Sequence, residues 1–240
     1  MTDYVRTTKG DVGRGRPDPS ASWLERMGRT FRRRHTITID GVRYRERSRH
    51  SKPAGASREP GERTYDIRFG DGQTMRIRST THRVFDDLIG GQLATLYERA
   101  AGELRPGSRV LDLACGTGAG AATLAGLVGP SGSVVALDRD TESIRFARRR
   151  YREPNIAFEI GGVETLDGEP DGSFDAVFVV LGSDELLAAA PLAVRRVLRR
   201  GGRIVVVLPD GERDRVGAFG KEARCESSTF RGQVVVFARF

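Results

Sequence analysis

Three glycines alternate with other residues directly after an apolar run in RVLDLACGTGAG, residues 109–120. Gly116, Gly118 and Gly120 carry no side chain, so backbone N–H groups in this stretch can approach a ligand closely. A carboxylate, Asp112, lies inside the apolar run, where burial is costly without a partner. A phosphate, a dinucleotide or a methyl-donor nucleoside would each suit such a loop. A Walker phosphate loop is excluded, because no Lys-Ser/Thr pair follows the glycines.

Three further side chains could take part in chemistry. Asp138 closes the next apolar run, SVVALD, 20 residues after Gly118, which is a usual position for an acid that bonds ribose hydroxyls. Asp184 follows the run FDAVFVVL and could act as a general base, although an acid at a helix start is also an ordinary N-cap. His82 opens a helix-like segment and could lie over a ligand, and capping or solvation explains it equally well.

The elements that must hold these residues alternate along the second part of the chain. Strand-like runs are RVLDLA, SVVALD, IAFEI, FDAVFVVL, RIVVVLP and QVVVFARF, and helix-like runs are GAATLAGLV, TESIRFARRRY and ELLAAAPLAVRRVLRR. This alternation predicts an α/β fold with a doubly wound, mostly parallel sheet of seven strands or an abbreviated set, covered by helices on both faces. Ligands of such sheets bind beyond the carboxyl ends of the strands, where strand order reverses.

The first third of the chain has a different character. Residues 1–34 are rich in Gly, Pro, Arg and Ser, which predicts a disordered basic tail. Residues 35–80 contain two alternating stretches, each broken by an Asp-Gly pair, which predicts a small β-hairpin extension. This extension could be a substrate-facing lid, an RNA-contacting face or an edge addition to the main sheet. The α/β domain is predicted over residues 81–240.

Composition narrows the class of protein further. The formal net charge is +8, and almost all basic residues are Arg, which permits nucleic acid or acidic ligands as partners and is also typical of a merely solvated surface. The two cysteines are far apart and outside any CxxC pair, so neither a disulfide framework nor a metal site is predicted. No apolar stretch has the roughly 18 residues of a membrane span, and a cytoplasmic location is expected.

Residues 81–240 resemble the class I methyltransferases that use S-adenosylmethionine. VLDLACGTGAG is similar to their first motif, DGSFDAVFVV to their strand-4 motif, and AVRRVLRRGGRIVVV to their helix and strand-5 segment. The nearest group is the one that holds the ubiquinone- and menaquinone-biosynthesis methyltransferases. The resemblance implies a Rossmann-like fold and S-adenosylmethionine as cofactor, and it does not reach residues 1–80.

Motif by motif, the resemblance implies a cofactor site. Asp112 would orient the methionine amino end, and Gly116 and Gly118 would let the loop approach the cofactor, with Ala114 and Cys115 beside them.

The adenosine end follows from the later motifs. Asp138 would bond the ribose diol, and Arg139 would lie near the adenine and could stack on it. Val163 would present its backbone N–H to the adenine edge, and Leu181 its carbonyl to the amino group. Gly162 stands where relatives often have an acid that accepts from the adenine amino group, a role that Glu164 could take over.

The resemblance implies methyl transfer, with a small-molecule acceptor favoured. An RNA- or ribosome-directed methyltransferase is the first alternative, supported by the Arg-rich segments RGRPDPS and FRRRH and by the basic β element. A non-catalytic cofactor-binding protein that acts through a partner is the second. An NAD-dependent oxidoreductase is least favoured, because the glycine pattern is the wrong variant and no catalytic Tyr-Lys or His pair is evident.

Overall fold

The elements fall into two units that divide between Leu88 and Ile89. The computed structural model describes residues 36–39, 41–46, 62–80, 90–102, 104–180, 184–209, 224–230 and 233–239. The predicted basic tail and the stretch between the two hairpins lie outside the described residues. The predicted limits of tail, hairpin extension and α/β domain therefore stay predictions.

The first unit contains one antiparallel sheet. Its strands lie in chain order and are β1 (Thr36–Ile39), β2 (Val42–Glu46), β3 (Glu62–Arg68) and β4 (Thr74–Thr80). Gly41 and Gly72 have φ angles of +77° and +83° at the turns that join β1 to β2 and β3 to β4. Glycine is favoured in this left-handed region, so the two Asp-Gly signals lead to the two predicted hairpins, which are confirmed. The pairing of β2 with β3 joins the hairpins into one sheet.

Burial separates the two faces of this sheet. Ile67 and Ile77 are at most 2% exposed, and the aromatic residues Tyr44, Tyr65 and Phe69 are at most 7% exposed. These aromatic rings therefore belong to a core and are not available to stack on the bases of a nucleic acid. The described charged side chains of β2, β3 and β4 alternate with these buried residues and point to the other face.

The second unit alternates helices and strands. In chain order its elements are α1 (Gly90–Ala101), β5 (Arg109–Leu113), α2 (Ala119–Val128), β6 (Ser133–Asp138), α3 (Thr141–Arg150), β7 (Ile156–Ile160), a 3-10 helix (Val163–Gly168), β8 (Phe174–Val180), α4 (Asp184–Val197), β9 (Leu198–Pro209), β10 (Arg224–Phe230) and β11 (Gln233–Arg239). Each of the six strand-like runs of the sequence coincides, within one residue at its end, with all or part of one of these strands.

The strands of this unit form one sheet in the order β10-β11-β9-β8-β5-β6-β7. Strands β5 to β9 are parallel, and β11 is antiparallel to both of its neighbours. The predicted doubly wound, mostly parallel sheet is confirmed. Because β5 has β6 on one side and β8 on the other, the order reverses at β5, and the glycine loop follows this strand directly.

The core of this unit lies on both faces of the sheet. Along β8, Ala176 and Phe178 belong to one buried cluster, while Val177 and Val179 belong to the other. Two buried faces explain why the parallel strands read as continuous apolar runs rather than as alternating ones. None of the helices that the structure describes is long and apolar enough to cross a membrane.

The sequence pattern misplaces one boundary and misses one strand. The helix-like run that extends to Arg200 ends in the structure at Val197, because Leu198 pairs with Phe174 at the start of β9. Four residues of β9 then bulge out before pairing resumes at Arg203, and Gly201 within them has a φ of +73°. Strand β10, RCESSTF, carries little apolar character and forms by pairing with β11.

Candidate cofactor-binding site

The loop between β5 and α2 is tightly wound. Ala114, Gly116 and Gly118 have φ angles of +65°, +57° and +90°, so three positions within five residues adopt the left-handed conformation. This conformation is strained for Ala114, the one non-glycine residue with positive φ among the described residues, and strain of this kind is often found at ligand sites. The winding holds the loop against the carboxyl end of β5.

Two of the glycines are required by packing within the protein. A Cβ on Gly118 would lie 2.8 Å from both the Cβ of Ala147 and a ring carbon of Phe158. A Cβ on Gly120 would overlap the ring of Tyr97 in α1. Their lack of side chains thus lets α1 and α3 approach the loop, a reason that the glycine spacing does not reveal.

Asp138 ties the loop to the end of β6. Its Oδ2 accepts a hydrogen bond of 2.8 Å from the backbone N–H of Gly116, and its Oδ1 accepts one of 2.8 Å from the N–H of Asp140. The side chain is almost buried. A carboxylate offers about four acceptor sites, so both oxygens can accept further hydrogen bonds from a diol.

Asp112 is the most unusual group of the site. It is fully buried in β5; its Oδ1 accepts a hydrogen bond of 3.0 Å from the hydroxyl of Tyr97, and its Oδ2 has no hydrogen-bond partner among the residues that the structure describes. Burial raises the pKa of Asp112 from 3.8 to about 7; the Tyr97 hydrogen bond opposes this rise and the charge of Asp138 adds to it. A buried carboxylate with an unsatisfied oxygen favours a cationic or hydrogen-bond-donating ligand.

Sequence reasoning does not single out Tyr97. The residue lies in α1, and its ring stacks on Phe178 of β8 with centroids 5.8 Å apart and planes at 17°. The one sequence feature that could have identified Tyr97 is its hydroxyl group, which lies on the otherwise apolar face of the helix that precedes the glycine motif. Tyr97 thus links α1, β5 and β8 at this end of the sheet.

On the β7 side, Arg139 and Glu164 form an exposed ion pair. Two guanidinium nitrogens of Arg139 donate to the two carboxylate oxygens of Glu164 at 2.6 and 3.2 Å, and the hydrogen bond from Arg139 is the main cause that lowers the pKa of Glu164. A Cβ on Gly162 would lie 2.6 Å from Nε of Arg139 and 2.9 Å from Oε2 of Glu164. The pair therefore occupies the space that a side chain at position 162 would fill.

The structure brings most of the predicted site residues to one edge of the sheet. Asp112 lies in β5, Asp138 ends β6, and the N–H of Gly161 donates to the carbonyl of Asp138 at 3.0 Å, which holds Gly162 and Val163 beside it. Ala114, Cys115, Gly116 and Gly118 form the loop between them, and Arg139 follows β6 directly.

The structure does not give the side-chain positions of three predicted site residues. His82 and Leu181 lie outside the described residues. Asp184 is the first residue of α4, and its side chain is not among those described. In the described parts of the chain, no group of three or more His, Cys, Asp or Glu side chains could hold a metal ion.

Comparison with known proteins agrees with this geometry. Residues 110–202 match the family described as a methyltransferase domain. An uncharacterized 37.1 kDa transposon protein of Streptomyces fradiae is 42% identical over 115 residues, covering 45% of this chain and 32% of its own length. A ubiquinone/menaquinone biosynthesis C-methyltransferase of Ectopseudomonas mendocina is 35% identical over 133 residues, or 52% of each chain. The chain thus spans at most about half the length of these curated relatives.

A solved structure shares the fold. TrmN from Thermus thermophilus superposes with a TM-score of 0.52 and 23% identity, over 61% of this chain and 48% of that one. The family match covers β5 to the start of β9, which are the parallel strands on both sides of the reversal in strand order. The second unit of this chain therefore has a Rossmann-like methyltransferase fold, and residues 110–202 within it match the methyltransferase-domain family.

Proposed function

We propose that this domain binds S-adenosylmethionine at the carboxyl edge of β5 and β6 and transfers its methyl group to an acceptor. The observation that carries the proposal is the buried Oδ2 of Asp112, which finds no hydrogen-bond partner in the described part of the chain and lies in the strand that leads into the glycine loop. The amino end of the cofactor is a cation with N–H donors, and it would satisfy this oxygen.

The other residues of the edge fit the rest of the cofactor. Asp138 has spare acceptor capacity for a ribose diol, and the planar Arg139 guanidinium, held by Glu164, offers a surface on which an adenine can stack. Glu164 is the nearest carboxylate to Gly162 and is our candidate for the acceptor of the adenine amino group.

Methyl transfer mainly requires the protein to position the acceptor. The cofactor supplies a methyl group that its sulfonium already activates, so placement of the acceptor dominates the rate. Asp184 and His82 stay our candidates for a general base if the acceptor carries a proton that must leave.

For the acceptor, we favour a small organic molecule. The curated relative from Ectopseudomonas mendocina is named for a C-methylation in ubiquinone and menaquinone biosynthesis, which supports a small-molecule acceptor by analogy. RNA is the second candidate, and the specific observation in its favour is the arginine-bearing face of the four-stranded sheet.

Calorimetric titration tests the cofactor site. S-adenosylmethionine and its demethylated product are titrated into the wild-type protein, Asp138→Ala and the control Asp167→Ala, which removes an exposed acid from the neighbouring 3-10 helix. We expect binding to the wild type and the control, and a loss of at least about tenfold in Asp138→Ala, because hydrogen bonds to a charged group contribute about 1.5–3 kcal/mol. Thermal melting of each variant checks that the fold persists.

Two results would contradict the proposal. One is a wild-type protein that does not bind S-adenosylmethionine under conditions in which it binds NAD. The other is equal cofactor affinity in Asp138→Ala and the wild type.

A further inference from the structure

One face of the four-stranded sheet in the first unit is dominated by arginine. Arg43 and Arg45 of β2, Arg68 of β3 and Arg76 of β4 are all exposed, and they alternate with buried apolar residues along their strands. Asp66 of β3 is the one carboxylate among the described side chains of this face. We call this surface the arginine face. Arg78 and Glu62 have register positions on the same face.

The strand register arranges these charges in two rows across the sheet. In one row, Asp66 lies opposite both Arg45 and Arg76, and it forms an ion pair of 2.8 Å with Arg76. In the other row, Arg43 lies directly opposite Arg68. Like charges at directly opposed positions destabilise a sheet, so this second row gains from an anion that contacts both guanidinium groups.

The spacing of the guanidinium groups suits a chain of phosphates. Residues two apart on one strand are about 7 Å apart, and neighbouring strands are about 5 Å apart, so the arginines form a grid rather than a single pocket. Arginine binds phosphate with two parallel N–H donors, and several such contacts along a polyanion add up. A lone small anion would use only one or two of them.

The positions of the aromatic residues determine which part of a nucleic acid the arginine face can contact. Tyr44, Tyr65 and Phe69 are buried on the opposite side, so the described side chains of the arginine face include no ring for base stacking. Contacts would therefore be made to phosphates, which position a nucleic acid without reading its sequence. The same absence of exposed aromatic and large apolar side chains among the described residues of this face disfavours a lipid surface, because interfacial binding needs buried apolar area.

The width of the sheet selects the form of nucleic acid. The major groove of B-DNA admits a helix or a two-stranded ribbon, and this sheet has four strands. A single strand can follow a broad sheet face, and single-stranded regions are a common form of RNA.

We propose that the arginine face is a docking surface for single-stranded RNA. It binds the phosphate backbone of the RNA and has no preference for its sequence. The proposal rests on the four-stranded sheet alone and does not depend on the proposed methyl transfer. It assigns to the first unit a binding role that the family match, confined to residues 110–202, does not cover.

The test is RNA binding by the full chain as a function of salt. A fluorescein-labelled 20-nucleotide oligouridine is titrated with the wild type and with the double variant Arg43→Gln/Arg68→Gln, and anisotropy is measured at several salt concentrations. The control, Arg105→Gln/Arg152→Gln, removes the same charge from exposed positions of the second unit. We expect the arginine-face variant to lose at least tenfold in affinity, and its salt slope to fall by about 1.4, since each phosphate contact to a single strand contributes about 0.7.

Further measurements keep the outcomes distinct. S-adenosylmethionine binding and the circular dichroism spectrum are recorded for each variant, so that a variant that has lost its fold is recognised. Such a variant is replaced by the single variant Arg43→Gln, for which the salt slope should fall by about 0.7. An equal loss in the control variant, an unchanged affinity in the arginine-face variant, or tighter binding to a duplex DNA or to vesicles of anionic lipid would overturn the proposal. None of these results depends on whether methyl transfer is observed.

Discussion

Replacing Asp112 by Asn should change how the stability of the protein depends on pH. The carboxyl of Asp112 is fully buried in β5, and burial raises its pKa from 3.8 to about 7. A group whose pKa is raised on folding binds its proton more tightly in the folded state than in the unfolded state. Its contribution to stability is therefore fully present below about pH 4 and is lost as the pH rises through about 7.

The magnitude follows from the difference between the two pKa values. One pKa unit corresponds to about 1.36 kcal/mol, and the interval from 3.8 to about 7 therefore corresponds to about 4 kcal/mol as an upper bound. An asparagine side chain cannot titrate, so this dependence should be absent in Asp112→Asn. Burying the amide without a partner costs about 1–3 kcal/mol, but that cost does not vary with pH and leaves the comparison of slopes unaffected.

Urea denaturation followed by circular dichroism between pH 5 and pH 9 measures this effect. We expect the free energy of unfolding of Asp112→Asn, relative to the wild type, to rise by up to about 3 kcal/mol across the range, because most of the titration lies between these limits. The exposed substitution Asp167→Asn is the control and should parallel the wild type. Parallel curves for Asp112→Asn and the wild type would refute the reasoning, since they would show that Asp112 titrates equally in both states.

Three further predictions concern the same edge of the sheet. The affinity for S-adenosylmethionine, measured by calorimetry, should rise by up to tenfold per pH unit towards pH 7 in the wild type and not in Asp112→Asn, because a cationic ligand binds the ionised carboxylate. Gly118→Ala should lower the free energy of unfolding by about 1–3 kcal/mol in urea denaturation, because its φ is +90° and its Cβ would collide with the core. Gly126→Ala, at an exposed position within α2, should raise the free energy of unfolding by about 0.5–1 kcal/mol. Equal effects of the two substitutions would contradict the packing argument. Glu164→Gln should change the free energy of unfolding by less than about 1 kcal/mol, because its ion pair with Arg139 is exposed, while it weakens cofactor binding; unchanged binding would exclude Glu164 from the adenine site.

The amino-acid sequence by itself determined the architecture of the second unit. Strands buried on both faces need continuous apolar runs, and helices that cover them need apolar residues at helical spacing. The alternation of strands and helices could therefore be predicted from the sequence. The glycine loop and the acid that ends β6 could also be predicted from the sequence. A tight turn with positive φ angles favours glycine, and a carboxylate at the end of an apolar strand is recognisable by its position.

Only the tertiary structure decided which partners these residues have. Strand β10 forms because β11 offers it an edge, and the phenol of Tyr97 meets Asp112 because α1 packs over the end of β5. The same holds for the ion pair beside Gly162 and for the two hairpins that join into one sheet with an arginine face. Strands β10 and β11 are neighbours in the chain, but the other contacts join residues at least 15 positions apart. Local preferences along a sequence do not encode which distant surfaces will meet.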